Sequence, residues 1–108
     1  MIEFERVRDS KDFQNVYNKA KKWHCDGAVV YFLAGSANKF SAVASKKIGK
    51  AVARNRAKRR IRAAFSNIKD ELNSGTYIII ARAGINELSF KNIEKNLRWS
   101  FKKIEALK

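Results

Sequence analysis

Lys46, Lys47, Lys50, Arg54, Arg56, Lys58, Arg59, Arg60 and Arg62 make up nine of the eighteen residues from Ser45 to Arg62. No Asp or Glu occurs between Gly27 and Lys69 to neutralise them along the sequence. A Lys/Arg-rich run is ordinarily solvated surface and a weak motif by itself. A solvated helix face, however, usually mixes signs to gain i,i+4 pairs, and this one does not. The six like charges from Arg54 to Arg62 repel one another unless a polyanion offsets them. The chemistry on offer is therefore recognition. Arginine forks pair phosphate oxygens bidentately.

Covalent chemistry is poorly supplied. The single histidine, His24, precedes the single cysteine, Cys25. On a strand, such neighbours point to opposite faces and cannot share one metal ion in ordinary geometry. The carboxylates form no sequence-local pair of the two-metal nuclease type, and no Gly-rich phosphate loop is present. We assign no catalytic residue and no metal ligand, and expect the protein alone to be inactive.

The cations need an element to hold them. A helix from about Ala51, advancing roughly 100° per residue, gathers Ala57, Ile61, Ala64, Phe65 and Ile68 on one face. Asn55, Lys58, Arg59 and Arg62 then fill a neighbouring sector, Arg56 and Arg60 lie beyond it, and Arg54 borders the apolar stripe. The apolar spacing runs through Leu72 to about Asn73, where Asn73-Ser74-Gly75 is a stop. Gly49 gives the preceding connection a backbone turn closed to other residues.

Around this helix, residues 1–8 read as an extended or loosely ordered lead-in. Asp9 or Ser10 caps a first helix to about Lys21, with Phe13, Val16, Tyr17 and Ala20 on one face. Phe13 and Tyr17 are either core or the edge of a base-stacking groove. Trp23 to Ala34 reads as one long strand, Gly35 to Lys39 as a hairpin connection, and Phe40 to Lys46 as a returning strand of small residues. Thr76 to Arg82 has the pattern of a central strand, and Ala83 to Glu87 is a loop. Ser89 caps the last helix with Leu88 and Ile93 as a staple. Phe90, Ile93, Leu97, Phe101 and Ile104 form its buried stripe, with Trp99 off it. The predicted class is α+β, a two-layer sandwich of helices on a small mixed sheet.

With 108 residues, the chain fits one domain, and 45% hydrophobic residues suffice for a core. A net charge of +14 and a pI near 10.3 favour a nucleic-acid partner. The longest apolar run, Ala28 to Ala34, is too short to span a bilayer. The acidic start at Met1-Ile2-Glu3-Phe4-Glu5 is unlike a signal peptide. One cysteine and no disulfide suggest the cytoplasm.

The run Ser45-Lys46-Lys47-Ile48-Gly49-Lys50-Ala51-Val52, followed by Arg54-Asn55-Arg56-Ala57-Lys58-Arg59 and Arg62, resembles the signature of the bacterial ribonuclease P protein subunit. Asp12-Phe13 with Val16-Tyr17, the strand holding Tyr31, and Tyr77 to Arg82 extend the resemblance over nearly the whole chain. It implies an α-β-β-β-α-β-α order, a four-stranded sheet with a left-handed β-α-β crossover, and a ribosomal protein S5 domain 2-like fold. It also implies a subunit that binds a large catalytic RNA and helps remove the 5′ leader of precursor tRNA, with cleavage and magnesium ions carried mainly by the RNA. By position, Lys46, Lys47, Lys50, Arg54, Asn55, Arg56, Lys58, Arg59, Arg60 and Arg62 would contact RNA. Phe13, Tyr17 and Tyr31 would line the leader cleft, so at least one of Phe13 and Tyr17 should be accessible. Glu3 and Glu5 depart from the basic N-terminus common in the family. A ribosomal-type structural RNA binder shares the composition; a self-sufficient nuclease or a double-stranded DNA reader fits less well, and neither membrane nor DNA is expected as a partner.

Overall fold

The computed structural model describes residues 3–108. In chain order the elements are β1 (Glu5–Arg6), α1 (Ser10–Lys19), β2 (Lys21–Cys25), β3 (Ala28–Ala34), β4 (Lys39–Val43), α2 (Ala51–Ile68), β5 (Gly75–Ala81) and α3 (Phe90–Lys103). Short 3-10 turns occupy Lys46–Ile48, Lys69–Glu71 and Ile85–Glu87. The strands form one mixed sheet in the order β1-β4-β5-β3-β2. β5 is central, as its two-sided apolar pattern predicts. It pairs parallel to β4 and antiparallel to β3, while β2 and β1 close the two edges.

Alternation along the strands divides the sheet into two apolar faces. Val30, Phe32, Ala42, Tyr77, Ile79 and Ala81 share one core with Ala57, Ile61, Ala64, Phe65 and Ile68 of α2 and Ile93, Leu97 and Phe101 of α3. The five α2 residues are those that the helical projection places on one face. Phe65 stacks on Phe40 with ring centroids 3.9 Å apart, and Tyr77 meets Phe101 edge-on at 5.6 Å. On the opposite face Val7, Val16 and Ile78 are buried, with Phe13, Ala20, Tyr31, Leu33, Val43 and Ile80 packed around them. The sheet and the α2–α3 layer thus make the main sandwich, and α1 alone covers the other side.

Four expectations change. The stretch from Trp23 to Ala34 is two strands, because Gly27 takes φ +87° and reverses the chain between Cys25 and Ala28. The Asp26-Gly27 pair is a strong hairpin signal that the surrounding apolar run obscured. Conversely, Gly35 to Lys39 is no hairpin: it passes over the start of β5, which lies between β3 and β4. Gly35 N–H donates to the Ser74 carbonyl and Gly75 N–H to Asn38 Oδ1, each at 3.3 Å. The lead-in at residues 1–8 supplies a fifth strand, because Glu5–Arg6 pairs parallel with β4; its Met1 and Ile2 lie outside the described residues. Phe90, finally, is 38% exposed and does not join the buried stripe of α3.

Candidate nucleic-acid interface

Gly49 sets the entry to the basic helix. Its φ of +137° lies in the region that favours glycine, and a Cβ there would approach the Ala53 side chain to 3.2 Å. Just before it, Ser45 Oγ accepts from Lys47 N–H at 3.3 Å, and Gly49 N–H donates to the Lys46 carbonyl at 3.1 Å. The turn exposes Lys46, Lys47 and Lys50 beside the first turn of α2. Lys50 is the N-cap and makes no capping bond through its side chain, and the first turn holds no carboxylate. Its amide N–H groups and the positive end of the helix dipole therefore add to the lysine charge.

Beyond the first turn, Asn55, Arg56, Arg59 and Arg62 are exposed, and Arg54 and Lys58 are half-buried with their stems against the body. Three cations elsewhere are tied to carboxylates: Lys39 to Asp12 at 3.2 Å, Lys21 to Glu105 at 3.3 Å and Arg98 to Glu71 at 2.5 Å.

Arg60 is placed apart from this set. Its guanidinium donates to the carbonyl of Ile85 at 3.1 Å and to that of Leu88. Burial, and then the charge of Arg56, pull it below the ordinary arginine value. Asn86 from the same loop donates through Nδ2 to the Ala53 carbonyl at 3.1 Å. The loop after β5 is thus clasped to the outer side of α2. Nothing in the spacing of the basic run distinguishes Arg60 from its neighbours, and Asn86 carried no signal.

On the other face of the sheet, Phe13, Tyr17 and Tyr31 come together. Tyr17 lies 6.2 Å from Phe13 and meets Tyr31 edge-on at 5.1 Å, between ring centroids. Asp9 caps α1, its carboxylate accepting from Lys11 N–H at 2.9 Å, and the helix is only ten residues long. Tyr17 remains 39% exposed, while Phe13 and Tyr31 are half-buried. The rings thus pack on the second core while Tyr17 keeps part of its ring accessible. Burial, and then the nearby Tyr31, raise the Tyr17 pKa, so its phenol stays a neutral hydrogen-bond donor at physiological pH. Val43 of β4 borders this cluster, and Lys46 and Lys47 follow it in sequence.

Cys25 turns inward against the first core, its thiol 3.4 Å from the Ala28 carbonyl and pushed up in pKa mainly by burial, while His24 is exposed. Among the described residues no three His, Cys, Asp or Glu side chains gather as a metal site, and no helix is long and apolar enough to cross a membrane.

The family model described as Ribonuclease P matches residues 1–105. The chain is 37% identical over 102 residues to the ribonuclease P protein component of Bacillus cereus, covering 91% of this chain and 89% of that one. With the protein component of Lactococcus lactis subsp. cremoris it shares 40% over 95 residues, or 86% and 81% of the two chains. Among solved structures, the ribonuclease P protein of Staphylococcus aureus superposes with a TM-score of 0.85 at 28% identity, covering 98% of this chain and 100% of that chain. That of Thermotoga maritima gives 0.81 at 28% identity, covering 94% and 99%.

Proposed function

Because the chain belongs to the family of bacterial ribonuclease P protein components, we propose that its α2 face grips the catalytic RNA while the α1 cleft receives the 5′ leader of precursor tRNA. The family's ribonucleoprotein is an endoribonuclease in which the RNA performs the cleavage. The observation that carries the division of labour is the placement of two different surfaces on opposite sides of one sheet. One is a carboxylate-free basic helix with an uncapped N-terminus; the other is a half-open aromatic cluster.

Each surface suits its partner. Folded RNA presents phosphates at fixed positions, which arginine forks at Arg54, Arg56, Arg59 and Arg62 pair while Asn55 bridges between them. Lys46, Lys47 and Lys50 add point charges at the start of the helix, and Lys58 adds one farther along it. Arg60 acts in our reading as a brace for this helix. A single-stranded leader offers splayed bases, which Phe13, Tyr17 and Tyr31 can stack against without reading sequence. Cations between two polyanions lower their repulsion, so fewer free magnesium ions are needed to bring substrate and catalytic RNA together. In this scheme RNA phosphates hold the catalytic magnesium in the holoenzyme, and the complex works in the cytoplasm. The family match does not favour the alternative of a ribosomal-type RNA binder.

The test is precursor-tRNA cleavage at low magnesium with protein alone, ribonuclease P RNA alone, and both. Cleavage at the mature 5′ end that depends on both supports the proposal. Equal rates with and without protein would defeat it, and cleavage by protein alone would reveal an active site on the chain. Lys58→Ala with Arg62→Ala should weaken RNA binding and keep a cooperative thermal transition; loss of that transition would refute their surface role.

A further inference from the structure

The outer side of α3 carries Lys91, Lys95, Arg98 and Lys102 in one row, spaced four, three and four residues apart, with Trp99 and Lys103 beside it. Trp99 is 50% exposed, and Trp23 from the edge strand β2 is 36% exposed. Trp23 pairs with Val30, whose side chain enters the core beneath α2 and α3, so Trp23 lies on the same side of the sheet as α3. The Lys103 ammonium bridges the two indoles, 4.6 Å from the Trp99 centroid and 5.8 Å from that of Trp23, and Lys102 Nζ stands 5.8 Å from Trp99. Next to them, Lys95, Asn96, Arg98, Trp99, Lys102 and Leu107 line a depression of about 470 Å³. Carboxylates reach part of this surface: Arg98 pairs with Glu71 at 2.5 Å and Glu94 at 4.0 Å, and Lys21 with Glu105 at 3.3 Å. Lys95, Lys102 and Lys103 make no such ion pair among the described residues.

A single exposed indole needs no explanation. Two that share an ammonium, bordered by further lysines, combine π-faces for bases with charges for phosphates. A duplex keeps its base faces stacked and would use only the lysines, so the pairing fits unpaired nucleotides. α3 packs beside α2, on the sheet face opposite Phe13, Tyr17 and Tyr31. A leader in the α1 cleft is therefore turned away from this patch, whereas α2 and the patch lie on the same side of the sheet. We propose that Trp99, Trp23 and Lys103, with Lys95 and Lys102, form a second RNA contact that stacks an unpaired segment of the catalytic RNA. It rests on the reading of α2 as the RNA-gripping helix.

The chain has two tryptophans, so Trp23→Phe leaves Trp99 as the sole indole reporter. Titrating that variant with ribonuclease P RNA should quench indole emission at the stoichiometric point. Trp99→Ala should lower the affinity for ribonuclease P RNA about tenfold, as one lost stacked base implies, leaving the salt slope unchanged. Lys102→Ala with Lys103→Ala should instead lower the slope by about two, and thermal melts should stay within a few degrees of wild type. Unchanged emission at saturation, with unchanged affinity for Trp99→Ala, would overturn the proposal. So would an effect of Trp99→Ala confined to precursor-tRNA binding, or a shift from dimer to monomer in sedimentation without a change in RNA affinity. Arg59→Ala with Arg62→Ala serves as the separate check on α2. If that variant binds RNA normally, the α2 reading fails, whatever Trp99 reports.

Discussion

Two side chains show how position decides the role of a residue type. Arg59 and Arg60 are neighbours in the basic run, yet Arg59 is exposed while Arg60 spends two donors on the carbonyls of Ile85 and Leu88. Removing Arg60 takes the donor from the half-buried Leu88 carbonyl, while the Ile85 carbonyl keeps its bond from Leu88 N–H at 3.1 Å; leaving such an acceptor unpaired costs about 1–3 kcal/mol. Arg60→Gln should therefore lower stability in urea melts by an amount in that range, with an unchanged salt slope for RNA binding. Arg59→Ala should leave the melt within about 0.5 kcal/mol and lower the slope by about one. The opposite pattern would return Arg60 to the RNA-contacting set. Tyr77 makes a prediction of a different kind. Its phenol is fully buried and donates to the Asn73 carbonyl at 2.7 Å, and burial raises its pKa far above the ordinary value. An unfolded chain loses that proton near pH 10, so above this pH the native state holds more protons than the unfolded one. The contribution is complete below about pH 10 and declines as pH climbs toward the native value, by up to about 1.4 kcal/mol per unit. Tyr77→Phe should be less stable than wild type at pH 7, yet show a shallower loss between pH 10 and 11 in denaturant titrations. Equal slopes would mean that Tyr77 ionises without unfolding.

At the scale of elements, α2 is organised for a partner at the expense of its own start. A helix beginning with Ser, Asp, Asn or Thr satisfies one of its orphan N–H groups, and a cation at that end opposes the dipole. Lys50 has the extended backbone of an N-cap, with φ −69° and ψ 171°, but offers no capping acceptor. Lys50→Ser should therefore stabilise the free protein by about 0.5–2 kcal/mol, read by chemical denaturation, while weakening RNA binding. A variant that gains stability and keeps full affinity would show that Lys50 does not meet phosphate. This conflict is legible in the sequence, because Lys50 precedes a helix whose first turn carries no acid. So are the buried stripe of α2, the central place of β5 and the Ser89 cap, each set by local periodicity or a single hydrogen-bonding side chain. What is not legible depends on contacts distant in sequence. The insertion of β5 between β3 and β4, the pairing of Glu5–Arg6 with β4 and the clasp of Arg60 on residues 85–88 leave no periodic trace in the segments they join. The Trp23–Trp99 pair belongs to the same class, since it forms only when the β2 edge lies beside α3.

For the molecule as a whole, a net charge of +14 on 108 residues has two consequences of opposite sign. In the free protein, like charges on α2 and α3 repel across surfaces held together by one shared core, so self-repulsion opposes the compact state. Raising salt shortens the screening length from about 14 Å at 50 mM to about 7 Å at 200 mM. The melting temperature of the free protein should therefore rise over that interval. Binding responds in the other direction, because each phosphate contact releases condensed counterions and added salt opposes that release. Six to ten contacts, the number α2 and its preceding turn can supply, imply a fall of about 10³–10⁵ in RNA affinity over the same interval. Both are measured on one preparation, by calorimetry without RNA and by filter binding with it. A protein whose cations were balanced by its own carboxylates would show little change in either quantity. Opposed trends place the excess charge outside internal ion pairs, as a partner-directed surface requires. A flat melting temperature combined with a steep binding slope would put the contacts on flexible side chains that scarcely strain the fold. A flat binding slope would contradict the phosphate-gripping role of α2.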